Sequence, residues 1–405
     1  MSVNTAMYAG ISGLFANGET MSVIGNNISN VNTVGFKGGR TIFSDMLSTN
    51  TNNGQVGSGV QVQEVQNNFA QGSFENTTSD TDLAIQGDGF FAVQSPNGTG
   101  RFYTRSGAFT FDNNNDLVNA DGYKVLGYGI TNGSANGGLG PISLNGYTTE
   151  APVSTTNITV SANLDSNNTP PAATWDPTLA GFNPNTASNF SATSTVYDQL
   201  GNAKSLTLYF ANTGANSWSV YTYDGTTYSA AGSGTPVTFN ANGTMASVNG
   251  VAGGTTFTVN GIKVDLAGTT QFTGSSVVNS MTNDGYPAGS LTKVSVDQQG
   301  YVNGIYSNGQ QQRIARVALA TFDSVDGLEK VGGTLFGATS SSGNALIGTA
   351  DMQRNKILSD QLEMSNVDMS EQLVNMITTQ RAYTANSKTI TSADQMTQDT
   401  LNLIR

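Results

Sequence analysis

Apolar residues recur at helical spacing only at the two ends of this chain. Near the N-terminus Met7, Leu14, Met21 and Ile28 fall seven apart, with Ile11 and Ile24 beside that line. This is one apolar stripe on a helix over residues 4–30. Asn4 is placed to cap it, and Asn30, Asn32 and Gly35 to stop it. Gly10, Gly13, Gly18 and Gly25 sit inside the span. Each costs roughly 1 kcal/mol relative to alanine, so the helix is weak alone and needs a partner.

At the other end, over residues 365–405, Ser365-Asn366-Val367-Asp368 has the form of a capping box. From there a 3-4 spacing runs through Met369, Leu373, Met376, Gln380, Tyr383, Ser387, Ile390, Asp394, Thr397, Leu401 and Ile404. Seven of these eleven positions are apolar, a diluted seam whose polar breaks specify register more than strength. Asp368 and Glu371 lie at the positive end of the helix dipole and Arg405 at the negative end. A continuous helix of about 40 residues reaches ~60 Å, longer than a globular domain normally holds.

Between the ends the pattern changes to period two. Asp-Gly or Asn-Gly pairs stand at 121–122, 145–146, 224–225, 249–250, 260–261, 284–285, 303–304 and 326–327. Alternating stretches flank several of them: 205–210, 217–223, 256–259 with 262–266, and 293–297 with 301–306. These read as hairpins. Residues 357–364 also alternate, with Leu358, Leu362 and Met364 on one side, and predict a strand leading into the last helix. Residues 145–285 are rich in Gly, Thr and Asn and carry only nine charges, which marks them as a β-domain inserted in a larger one.

The expected fold is therefore α+β, with terminal α-helices forming a coiled-coil-like end domain and nested, mainly-β middle domains. Residues 1–30 and 365–405 form the helical end, 31–70 a connecting segment, 71–144 with 286–364 an inner β-domain, and 145–285 an outer one.

Composition narrows the chemistry. The 405 residues include no Cys and no His, so thiolate nucleophiles, imidazole bases and zinc clusters have no ligands to build on. The net charge is −12 and the 16 basic residues form no run, which argues against nucleic acid and anionic membrane surfaces. No apolar stretch of 18 residues exists to insert in a membrane. The opening MSVNTAMYAGISGLF has no basic residue ahead of its apolar ones and makes a poor secretory signal, so the chain is expected to stay inside or leave by another route.

Three motifs have simpler readings than chemistry. Gly87-Asp88-Gly89-Phe90-Phe91-Ala92 fits a loose dinucleotide pattern, but Pro96 and Asn97-Gly98 follow where a helix should open. It reads as a tight β-turn with two buried phenylalanines. Asp112-Asn113-Asn114-Asn115-Asp116 begins like a calcium loop, yet Leu117 and Tyr123 stand where Gly and Glu are required. The pair Asp80 and Asp82 has the residue types of a glycosidase, with nothing to fix facing geometry. No catalytic residue, cofactor or metal ligand is assigned. The apolar ends are the candidate interface: Met7, Ile11, Leu14, Met21, Ile24 and Ile28 with Met369, Leu373, Met376, Tyr383, Ile390, Leu401 and Ile404.

Four segments carry a resemblance. Residues 25–37 (Gly25-Asn26-Asn27-Ile28-Ser29-Asn30-Val31-Asn32-Thr33-Val34-Gly35-Phe36-Lys37) resemble the N-terminal signature of the bacterial flagellar rod/hook family. Residues 82–91, containing Gly87, Gly89, Phe90 and Phe91, resemble its second block, followed by Tyr103-Thr104-Arg105-Ser106-Gly107 and Leu117-Val118-Asn119. Asn366 and Asp368, then Leu373-Val374-Asn375-Met376-Ile377 and Gln380-Arg381-Ala382-Tyr383, resemble the C-terminal signature. Within the inserted block, 195–202 and 218–222 are similar to the hook members of that family rather than the shorter distal rod members.

The resemblance implies a structural subunit and not an enzyme. It implies unfolded export through the flagellar type III apparatus without a cleaved signal peptide, and an extracellular place in the flagellum. The implied partners are further copies of the chain in a helical homopolymer, a distal rod protein, a hook-associated junction protein and a hook cap. The implied product is a curved tube that acts as a universal joint, and hydrated Ser, Thr and Asn contacts can slide in it where an apolar interface would lock. A rod or junction subunit, a β-rich adhesin and a carboxylate glycosidase are the alternatives.

Overall fold

The computed structural model describes residues 3–46, 49–51, 54–57, 59–130, 135, 137–350 and 355–403. It is α+β. One helix, α1 (Val3–Ser29), opens the chain, another, α2 (Met369–Leu403), closes it, and short strands in several sheets fill the rest. The chain forms two compact units. One comprises Met1–Tyr147, Lys293–Ile305 and Gln311–Arg405, the other Thr148–Thr292 and Tyr306–Gln310.

In the first unit, strands Phe90–Gln94, Arg101–Thr104, Lys124–Gly129 and Gln311–Thr321 pair antiparallel in one sheet. Both faces of this sheet are covered, so Phe90 and Phe91 are each fully buried although they point to opposite sides. Phe90 packs edge-on against Phe69, Phe322 and Phe336, and Phe91 against Phe109. The Gly87–Gly89 stretch is the expected turn: Gly87 has φ +123°, and a strand, not a helix, follows. Asp112 likewise closes a hairpin turn, accepting the backbone N–H groups of Asn114 and Asp116.

The two ends of this unit are stitched together in pairs. Leu83–Gln86 pairs with Lys356–Ser359, and Phe74–Asn76 with Gln361–Glu363. Residues 357–364 are thus two strands and not one. Asp360 at φ +56° breaks them, and its carbonyl accepts the N–H of Thr77. The fully buried side chains there are Ile357 and Glu363, while Leu358, Leu362 and Met364 are half-buried.

The second unit is two sheets closed on a shared core. Six strands from Phe190–Tyr197 to Val251–Ala252 follow one another in sequence order as a meander. Asn157–Asp165 centres a five-stranded sheet, its side chains alternately buried and partly exposed. Leu208, Phe210, Trp218 and Val220 of the meander meet Ile158, Val160 and Val264 of the other sheet. On the far side of the meander Trp175 from the 166–189 loop stacks on Tyr221 at 4.4 Å. Asn249-Gly250 and Asn260-Gly261 turn with φ of 53°, 75°, 50° and 83°, the left-handed pair that a two-residue hairpin requires. Back in the first unit, Asn303-Gly304 lies inside strand Tyr301–Tyr306 and makes no turn. The chain reverses before it, where Asp297 accepts the N–H groups of Gln299 and Tyr301.

Candidate functional site

The two terminal helices pack antiparallel, and small residues permit their closest approach. A Cβ at Gly10 would stand 3.0 Å from Ile390 Cγ1, and one at Gly13 2.6 Å from the Asn386 amide nitrogen. Asn27 donates to Gln372 Oε1 at 3.2 Å further along. Two of the four helix glycines therefore permit close approach, which offsets their cost to the isolated helix. Gly18 and Gly25 face open space. Helix α1 begins at Val3, so Asn4 falls within its first turn rather than ahead of it. On α2 the cap is Asp368, which accepts the N–H groups of Ser370 (2.7 Å) and Glu371 (3.3 Å). Ser365 instead accepts from Val367. The reason lies in spacing: Asp368 immediately precedes the first helical residue, as an N-cap must.

Each helix has two distinct lines. On α1 the side chains of Ala16, Ile24 and Asn27 are buried with Gly10 and Gly13, whereas Met7, Ile11, Leu14, Met21 and Ile28 are half-buried. Tyr8 and Phe15 are 66% and 77% exposed. On α2 the buried or half-buried line runs Gln372, Met376, Thr379, Ala382, Asn386, Ile390 and Ala393. Met376 and Ile390 belong to it. Met369, Leu373, Tyr383 and Leu401 lie on the next line round the helix and are 39–62% exposed. Ile404 and Arg405 lie outside the described residues.

A hairpin that sequence reasoning missed braces α1. Strand Gly39–Asp45 pairs with Val60–Asn67 within the 31–70 segment. Asn27 acts there as an extra length of backbone: its Nδ2 donates to the carbonyl of Gly39 and its Oδ1 accepts the N–H of Gly39. Thr20 and Thr41 share a hydroxyl contact at 2.9 Å. Asn366 closes the other side, accepting from Gly38 N–H and donating to the carbonyls of Asn68 and Ala70. The Asn-Asn of residues 26–27 was the available signal, because an amide can mimic both halves of a peptide unit.

Beneath the hairpin lies a charge cluster that local sequence could not reveal. Lys37 Nζ donates to Glu363 Oε1 at 2.6 Å and to the carbonyl of Ala70 at 2.7 Å. Arg105 reaches Glu363 Oε2 at 3.4 Å and lies over the Phe90 ring, 4.9 Å from its centroid. The side chains of Lys37 and Glu363 have no solvent exposure and that of Arg105 has 3%. Burial pushes Lys37 and Arg105 down from their ordinary pKa values, and the Glu363 carboxylate opposes it. Glu363 also accepts the N–H of Gly72 on its side chain and that of Gly35 on its carbonyl. Removing one partner of such a pair costs ~3–5 kcal/mol, because the other charge stays buried.

The remaining signature residues fall around this joint or on the outer face of α2. Gly35 turns the chain at φ +69° against the Ser106 backbone, and Phe36 lies under Lys330 Nζ at 4.9 Å. Asn30 donates to Asn26 and accepts from Thr33. Gly89 packs near Asn355, whose Oδ1 accepts the N–H of Asp88. Gln380 and Arg381 are exposed on α2 beside Tyr383. No described helix is long and apolar enough to cross a membrane.

Known proteins agree along the whole chain. Residues 7–37 match the family of flagella basal body rod proteins, 84–166 the flagellar hook protein FlgE/F/G D1 domain, 163–286 the flagellar basal body protein FlaE D2 domain, and 359–403 the flagellar basal body rod FlgEFG protein C-terminal. The flagellar hook protein FlgE of Escherichia coli K12 is 37% identical over 405 residues, covering 97% of this chain and 98% of that protein. FlgE of Borreliella burgdorferi is 33% identical over 448 residues, covering 98% and 99%. The crystal structure of Helicobacter pylori flagellar hook protein FlgE2 covers 72% of this chain and 100% of that one, with a TM-score of 0.51 at 16% identity, and so shares the fold. The chain belongs to the flagellar hook protein family and is a structural subunit of the flagellar hook, not an enzyme.

Proposed function

We propose that this subunit polymerises through the helix lines that its own α1–α2 contact leaves outward. The observation that carries this reading is the division of labour on the helices. Small and amide-bearing residues hold the pair together within the chain, and most of the long apolar side chains lie on the neighbouring lines. Met7, Ile11, Leu14, Met21 and Ile28, interrupted by Gly18 and Gly25, keep a 3-4 spacing that a neighbour's helix can enter. Met369, Leu373, Tyr383 and Leu401 offer the matching line on α2. Ile24, Met376 and Ile390 serve the internal pair. Residues 1–30 and 365–405 then form the polymerising end and 31–70 its connector. The inner (71–144, 286–364) and outer (145–285) β-domains are carried by that end.

On this reading the product is a curved, flexible tube that passes torque from rod to filament. Its ends meet a distal rod protein and a hook-associated junction protein, assembly proceeds beneath a hook cap, and the subunit arrives outside the cell through the type III export apparatus. The polar surfaces of the β-domains, rich in Ser, Thr and Asn, support sliding between neighbours at low cost.

The test replaces Leu14 and Leu373 with Asp in the full-length chain. Thermal unfolding of the monomer should shift far less than assembly does, because Leu373 is 46% exposed and Leu14 is only half-buried. Electron microscopy should show no tubes, with export scored separately in culture supernatant. Normal curved tubes from an exported double variant would remove these lines from the interface.

A further inference from the structure

We propose that the buried Lys37–Glu363–Arg105 cluster makes docking of the N-terminal arm conditional on the C-terminal segment, so that the arm seats only once Glu363 is in place. The arm here is α1 with the hairpin Gly39–Asp45 and Val60–Asn67. Lys37 and Arg105 precede Glu363 by 326 and 258 residues. A chain made from its N-terminus therefore has both cations long before it has the carboxylate.

With the carboxylate of residue 363 removed and the fold otherwise kept, the site holds two like charges out of water. A buried ammonium and guanidinium with no counter-ion is the arrangement that a low-dielectric interior tolerates least. The other contacts do not neutralise it. Lys37 has the neutral carbonyl of Ala70, and Arg105 has the face of Phe90. The Arg105 Nε is buried without a hydrogen-bond partner even when Glu363 is present. Asp88 acts on Arg105 only from an exposed position.

Glu363 also supplies the hydrogen bonds that seat the two neighbouring turns. Its carbonyl receives Gly35 N–H at 2.7 Å and its Oε1 receives Gly72 N–H at 3.0 Å. Charge and backbone fit thus arrive together, on one residue, six positions before α2 begins. Until then, seating the arm would bring the Lys37 and Arg105 charges together without a counter-ion. A chain that ends before Glu363 would leave α1 and its hairpin undocked from the inner strands. The inference rests on the cluster and not on which helix lines touch a neighbour.

Hydrogen exchange of the full-length chain tests it, in solution and in sedimented polymer, in whichever state the wild type protects residues 33–46. Glu363→Gln keeps the size and the acceptor oxygen but removes the charge. Exchange in 33–46 and 60–76 should quicken roughly a hundredfold or more, while Phe90–Gln94 and Gln311–Thr321 keep wild-type protection. Lys37→Met combined with Glu363→Gln should recover at least about tenfold of that loss, because one of the two repelling charges is gone. Wild-type exchange in Glu363→Gln overturns the proposal. So does a double variant as fast as the single, which would assign the loss to hydrogen bonding alone, and so does a wild type unprotected at 33–46 in both states. Should Glu363→Gln unfold the inner strands too, pulse-labelled refolding of the wild type decides. Protection of 33–46 in the same phase as 356–363 supports the proposal, and an earlier separate phase overturns it.

Discussion

Asn386 occupies the space beside Gly13 that any other residue's side chain would need: a Cβ there would stand 2.6 Å from its amide nitrogen. Gly13→Leu should therefore separate the two helices locally and destabilise the paired end by about 1–3 kcal/mol, despite the better helix propensity of leucine. Gly18→Ala is the control, since nothing lies within 4 Å of its Cβ position. It should stabilise α1 by up to ~1 kcal/mol. Helical circular dichroism during urea unfolding separates the two. Equal midpoints for both variants would mean that the helices do not approach as closely as described.

Gly35 and Gly98 make a second matched pair. Both have positive φ, +69° and +75°. A Cβ at Gly35 would collide with the Ser106 backbone, whereas none lies near Gly98. Gly98→Ala should cost only the left-handed strain of ~1–2 kcal/mol. Gly35→Ala adds a clash with main chain that cannot rotate away, so it should lower the unfolding midpoint of the first unit distinctly further. If the two substitutions cost the same, the 35–106 contact is not tight.

The second unit should unfold by itself. Trp218 is 1% exposed in the core between its two sheets. Trp218→Ala should cost that unit ~3–5 kcal/mol. Calorimetry of the variant should show one transition displaced downward and another, belonging to the first unit, unmoved. A single displaced transition would mean that the two units share one cooperative core.

Acid should weaken the second unit through Asp284 in particular. Burial raises the pKa of its carboxyl, but hydrogen bonds from Asn157 and Thr156, main chain and side chain, outweigh that and hold it well below the usual carboxylate range. Because the folded pKa lies below the unfolded one, the stabilisation is complete above about pH 5 and is lost as pH falls through the carboxylate range. Asp284→Asn should remove about 1 kcal/mol at neutral pH, a modest figure because water reaches the group. It should also flatten the acid limb of the melting curve between roughly pH 5 and pH 2. Parallel acid limbs in variant and wild type would assign the acid sensitivity elsewhere.

The amino-acid order determined whatever depends on neighbours in the chain. Glycine after asparagine set the turns at 250 and 261 through φ, and Pro96 with Asn97-Gly98 kept Gly87–Gly89 from opening a helix. Period-two stretches became strands, and the 3-4 patterns at the two ends became α1 and α2. Tertiary structure decided which side of each element meets what. Periodicity marks the apolar line of a helix but not its partner, and here the line turned inward is the one with Gly10, Gly13, Asn386 and Thr379. Counting apolar residues selects the other line, because close packing of backbones favours small side chains over large ones. The hairpin at 39–67 was hidden for a related reason: its strands rest on α1 rather than on a larger sheet, and Phe43 and Val65 are left exposed, which blurs the alternation. Lys37, Arg105 and Glu363 look like ordinary solvated charges until the fold brings them together across 326 residues. Only burial makes them a unit, since in water their attraction would be screened to little.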